Sequence, residues 1–102
     1  MSPFLRIATA GLLAMAGAAH AQDANLGRNL AATCANCHGT NGQARGDSVS
    51  ALAGMPAERL IQTFNGYKSG TLPATIMHQI AKGYTDDQVK AIAAFFASQP
   101  KK

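Results

Sequence analysis

Tryptophan is absent from this 102-residue chain, charge is sparse at 14% of residues, and cysteine occurs only twice. Two cysteines cannot build the disulfide framework of a small secreted scaffold. The length admits one small domain and no two-domain enzyme. Low charge without low-complexity tracts argues against a disordered tail. Nine Lys and Arg against five Asp and Glu give a net charge of +4, and the basic residues are scattered rather than clustered. Nucleic-acid binding is therefore not expected. No apolar run reaches the ~20 residues of a membrane-spanning helix.

What is present begins with a leader. Arg6 precedes a run of small and apolar residues from Ile7 to Ala19, and Ala19-His20-Ala21 fits a small-x-small cleavage site. Residues 1–21 are thus expected to be a cleaved signal peptide, with residues 22–102 forming the mature domain in the periplasm. Cleavage removes Arg6 and His20. His38 and His78 are then the histidines left, and Phe64, Tyr67, Tyr84, Phe95 and Phe96 the aromatics. A domain of that size buries only about 60% of its chain surface and often needs a disulfide, metal or cofactor to stabilise it. Export adds that its cysteines must be paired or chemically capped.

Both cysteines fall in Cys34-Ala35-Asn36-Cys37-His38. C-x-x-C-H is the attachment pattern of c-type haem. On a helical turn, residues three apart share a face. The two thiols can then form thioethers with the vinyl edges of one porphyrin, and the adjacent His38 can ligate its iron. The alternatives fit poorly. A thioredoxin-like dithiol needs a strand and crossover context, and a structural zinc site needs four ligands. For the sixth iron position the sequence offers Met55, Met77 and His78. Met55 adjoins Pro56 and suits a hydrophobic gap. Met77 follows a turn region containing Gly70 and Pro73, far enough from His38 for the chain to wrap a porphyrin, and His78 is an adjacent competitor.

Apolar spacing predicts four helical pieces. Leu26, Leu30, Ala31 and Cys34 mark a helix over 25–35 that delivers the motif. A glycine-rich loop over 39–54 follows. Pro56 suits the first position of a second helix, with a stripe of Leu60, Ile61, Phe64 and Tyr67 and a stop at Gly70. A short helix over 77–82 ends at Gly83. Thr85-Asp86-Asp87-Gln88 is a capping-box pattern opening a final helix to Ser98, with Val89, Ile92, Ala93 and Phe96 on its apolar face. No strand pattern or repeat is evident, so the fold class expected is all-α.

On these residues the chain resembles a class I c-type cytochrome over positions 24–98. The likeness rests on Cys34-Ala35-Asn36-Cys37-His38-Gly39, on Met77 followed by Thr85-Asp86-Asp87-Gln88, and on the closing Ala-Ile-Ala-Ala-Phe-Phe helix. It implies three to four short helices wrapped around one covalent haem c, bonded to Cys34 and Cys37 and ligated by His38 and Met77. It also implies that the first and last helices cross with Gly27 against Phe95 or Phe96. Gly66-Tyr67-Lys68-Ser69-Gly70, Thr75-Ile76-Met77 and Ile80-Ala81-Lys82-Gly83-Tyr84 are similar to the haem subunit of flavocytochrome c sulfide dehydrogenase and to related small periplasmic cytochromes. One departure stands out. Many class I cytochromes carry Gly-Pro after the motif, its carbonyl accepting from the proximal histidine. Gly46-Asp47 is the corresponding pair here, which keeps a carbonyl but loses a fixed φ.

The function expected is single-electron transfer by Fe(III)/Fe(II) cycling, between a donor and an acceptor redox protein and without membrane insertion. The haem does the redox chemistry and the protein tunes and positions it. The alternatives are a dedicated electron-transfer subunit of a FAD-containing sulfide dehydrogenase, or a catalytic haem protein if the sixth position stays open. Lys68, Lys82, Lys90, Lys101 and Lys102 are candidates for steering an acidic partner.

Overall fold

The computed structural model describes residues 25–101; the expected leader at 1–21 and Lys102 lie outside them. Within the described residues the fold is all-α, as the spacing predicted. The first segment runs through α1 (Leu26–Ala31), a 3-10 turn (Ala32–Cys34) and α2 (Ala35–His38). The junction residues Ala31, Ala32, Cys34 and Ala35 all keep right-handed helical dihedrals, so this is one helical segment tightened in its middle. It reaches His38, beyond the limit expected at 35, and carries the whole motif on helical backbone.

The loop that follows is irregular apart from a 3-10 turn at Thr40–Gly42. Its anchor is Gly42, whose carbonyl accepts from the amides of Leu52 at 2.8 Å and Ala53 at 3.1 Å. Gly42 is buried with φ +78, and a Cβ there would lie 2.8 Å from the Phe96 ring. Only glycine meets both demands, the left-handed dihedral and the close approach. The amide of Gly54 donates to the Phe96 carbonyl at 2.8 Å, fixing the far end of the loop to the last helix.

Helix α3 spans Ala57–Ser69. Pro56 is its N-cap rather than its first helical residue: ψ of 135° keeps it extended while its carbonyl already accepts from Leu60 at 3.1 Å. The helix stops at Gly70, in left-handed conformation at φ 82°, with Thr71 donating back to Gly66 at 2.9 Å. Leu60 and Phe64 are buried, whereas Ile61 is half-buried against the core and Tyr67 half-buried beside the cleft described below. Helix α4 is short, Met77–Ala81, and α5 spans Asp86–Ala97.

The capping box at the start of α5 forms as its sequence pattern predicts. The Gln88 amide donates to Thr85 Oγ1 at 3.2 Å and the Thr85 amide donates to Gln88 Oε1 at 2.9 Å, with Asp86 and Asp87 in the first turn. Thr85→Ala is expected to lower stability by about 1 kcal/mol, read as a fall in the thermal midpoint. Restoring the cap with Ser should recover most of it.

Helices α1 and α5 cross at Gly27. A Cβ there would sit 2.5 Å from the Ala91 carbonyl oxygen and 3.4 Å from Phe95 Cβ. Of the two aromatics expected at this crossing, Phe95 meets it, while Phe96 turns inward and is 1% exposed. The core is Ala31, Leu60, Phe64, Ala81, Val89, Ile92, Ala93 and Phe96. With three alanines among them it is thin, and one side of it faces an open cleft.

Candidate functional site

A cleft of about 650 Å³ opens between the motif segment, the loop, α3, α4 and α5. Its walls are largely apolar, with Leu52, Leu60, Phe64, Ile80, Ile92 and Phe96 among them. Cys34, Cys37 and His38 bring the motif to this cleft, and Met77 reaches it from the first residue of α4. Met55 also lines it; His78 does not.

Cys34 is half-buried and Cys37 exposed, and both line the cleft. Burial pushes the Cys34 thiol above its ordinary pKa. A hydrogen bond with Thr33 pulls part of that back, and the neighbouring Cys37 adds to it. Their i, i+3 spacing on continuous helical backbone puts the two sulfurs on one face, at one rim of the cleft.

His38 Nδ1 lies 2.7 Å from the Ser50 carbonyl. A carbonyl only accepts, so the proton sits on Nδ1 and the lone pair of Nε2 is free for a metal. Such a bond to the distal ring nitrogen fixes the tautomer and ring orientation of a ligating histidine. The acceptor differs from the one expected. Asp47, which the resemblance put in the place of the family's proline, is exposed, and the bond lands three residues further on. Here the loop reaches the ring without a fixed φ, held instead by the Leu52 and Ala53 amides on Gly42.

His78 is committed elsewhere. Its Nε2 donates to the Leu72 carbonyl at 2.5 Å, and its ring meets Tyr67 edge-on with centroids 6.2 Å apart. Lys68 is also engaged internally rather than free for steering: Nζ donates to the Tyr84 carbonyl at 2.6 Å and stands 3.9 Å from Asp86. The Tyr84 hydroxyl pairs with Thr33 Oγ1 at 2.9 Å, which ties the residue before Cys34 to the turn after α4. Spacing alone did not reveal Ser50 or the Thr33–Tyr84 link. Backbone carbonyls carry no side-chain signature, and the two partners of the link are 51 positions apart.

The donor set indicates what the cleft can hold. No group of three or more His, Cys, Asp or Glu side chains gathers among the described residues, so they form no all-protein metal cage. The cleft instead offers apolar walls, two thiols at the rim, one imidazole nitrogen and thioether sulfur. Those features fit an iron already carried in a flat apolar macrocycle, and the volume falls within the usual ~300–1,000 Å³ of cofactor sites.

Comparison with known proteins agrees with the geometry. The cytochrome c family model matches residues 24–100, so the chain belongs to the cytochrome c family. It is 33% identical over 76 residues to the cytochrome subunit of sulfide dehydrogenase from Chlorobaculum tepidum, covering 74% of this chain and 68% of that protein. It is 34% identical over 82 residues to cytochrome c-554(548) of Halomonas halodenitrificans, covering 78% of this chain and 99% of that one. With cytochrome c4 of Pseudomonas aeruginosa the identity is 34% over 88 residues, but the chain spans only 44% of that longer protein. Its cofactor is covalent haem c and its function is haem-based electron transfer.

Proposed function

We propose that this chain carries single electrons in the periplasm, with haem held by thioethers to Cys34 and Cys37 and its iron ligated by His38 and Met77. When bound, haem c supplies an iron that alternates between ferric and ferrous states. The observation that favours Met77 over His78 is that His38 and Met77 line one cleft while His78 is hydrogen-bonded to Leu72 outside it; the preference over Met55, which lines the same cleft, follows the family likeness. The Ser50 carbonyl keeps His38 Nδ1 protonated and the ring in one orientation. Leu52, Phe64 and Phe96 give the cleft apolar walls, so with haem seated there little solvent would reorganise when its charge changes. Thioether ligation favours a high reduction potential and fills the position a substrate would need. Export would follow from the leader at 1–21, and no helix among the described residues is long and apolar enough to cross a membrane.

A free carrier is favoured by the match to nearly the whole of cytochrome c-554(548). The likeness to a sulfide dehydrogenase subunit supports the second reading, a dedicated partner of a flavoprotein. Co-purification from the native host separates them.

Voltammetry of the holoprotein tests the electron-carrier reading. One reversible one-electron wave with slow carbon monoxide binding is expected; rapid binding to the reduced form would indicate an open, catalytic site. His78→Ala is expected to leave the visible spectrum and potential essentially unchanged, because its ring already serves Leu72. Loss of the low-spin spectrum in that variant would move the ligand from Met77 to His78.

A further inference from the structure

A second cleft, of about 850 Å³, adjoins the first and shares Ser50, Met55 and Thr63 with it. Cations reach it from three separate parts of the chain: Arg45 in the loop, Arg59 on α3 and Lys101 after α5. No acidic side chain lines it. The one ion pair among the described residues joins Lys68 to Asp86, so no described acid is paired with any of the three.

The position of Lys101 is built rather than incidental. Gln43 Nε2 donates to the Pro100 carbonyl at 2.8 Å and pins the tail across the loop. The Lys101 stem then lies over Gly54, where a Cβ would come within 2.6 Å of Lys101 Cγ. Of the described lysines that composition offered for steering, Lys101 is the one that joins other cations at this cleft; Lys68 is tied to Tyr84 and Asp86.

We propose that this cleft docks a carboxylate-rich segment of a redox partner protein. The proposal rests on the electron-transfer reading. Single exposed ion pairs contribute little, but like charges around one concave face add their fields, raising encounter rates and fixing orientation. The shared wall at Ser50, Met55 and Thr63 brings a partner seated here close to the haem cleft, as electron transfer over short distances requires. A protein segment suits the cleft better than a small anion. None of the described polar or charged side chains is buried, so nothing enclosed grips a lone oxyanion.

The test is a nuclear magnetic resonance titration of the reduced holoprotein with a polyglutamate peptide, at ~0.01 M and then ~0.15 M salt. Shifts centred on Arg45, Arg59 and Lys101 are expected, with affinity falling as salt rises. The combined variant Arg45→Gln, Arg59→Gln and Lys101→Gln should bind roughly tenfold more weakly at low salt while keeping the parent's visible spectrum. Shifts centred on Lys82 and Lys90 would overturn the proposal. So would inorganic sulfate displacing the peptide with the same shifts, which would make this a small-oxyanion site. Unchanged peptide affinity with a displaced reduction potential would also overturn it, assigning the cations to the haem's own carboxylates. A parent protein without a reversible voltammetric wave would defeat the electron-transfer reading instead, whatever the peptide does.

Discussion

Met77→Ala is expected to convert the haem from low-spin to high-spin, to open it to carbon monoxide and cyanide, and to lower the reduction potential. Axial ligand identity moves haem potentials across a range of about 0.8 V, so a fall on the order of 0.1 V or more is expected. Met77 is the first residue of α4 and lines the cleft that His38 enters. Removing its thioether leaves a water or no ligand there, since the His78 ring next to it is held by Leu72 and Tyr67. Met55→Ala is the control because Met55 lines the same cleft. It is expected to keep the low-spin spectrum and lose only packing. The reverse outcome, a changed spectrum in Met55→Ala and none in Met77→Ala, would reassign the ligand.

Phe96→Ala should produce the largest loss of stability, about 3–5 kcal/mol, the usual cost of truncating a buried aromatic. Phe96 is 1% exposed, and its ring sits where Gly42 closes the loop over α5. Its carbonyl also receives the Gly54 amide, but that backbone bond survives the substitution. The cavity would therefore loosen the loop that carries Ser50 against His38 without removing any ligand. Thermal unfolding of the holoprotein measures the effect. At roughly 4–8 °C per kcal/mol for a domain of this size, a fall of more than about 10 °C is expected. A fall of only a few degrees would mean that the covalent haem, rather than this ring, dominates the packing.

Much of this structure is legible in the sequence because it depends on local rules. The capping box at Thr85 and Gln88, the stop at Gly70 and the apolar stripe of Val89, Ile92, Ala93 and Phe96 each lie within a few residues of one another, and each forms. Pro56 was misplaced by a single position, because its φ suits a cap as well as a first helical turn. Nonlocal contacts were less legible. The family likeness pointed to Asp47 for the carbonyl facing His38, whereas the loop delivers Ser50, a choice made by how Gly42 folds the loop back on Leu52 and Ala53. Likewise, nothing in the spacing separates Lys68, tied to Tyr84, from Lys101, which joins two arginines at a cleft. The candidate ligands come from a short motif and one methionine; the groups that orient them come from the tertiary fold.

X-ray absorption at the iron edge of the exported ferrous protein tests the ligand set most directly. In the proposed arrangement Cys34 and Cys37 bind the macrocycle's periphery and do not ligate iron, so an axial sulfur would come from methionine. The account predicts one sulfur in the iron's first coordination shell, with nitrogen at the remaining positions, and loss of that sulfur in Met77→Ala. A parent shell made only of nitrogen or oxygen would contradict it.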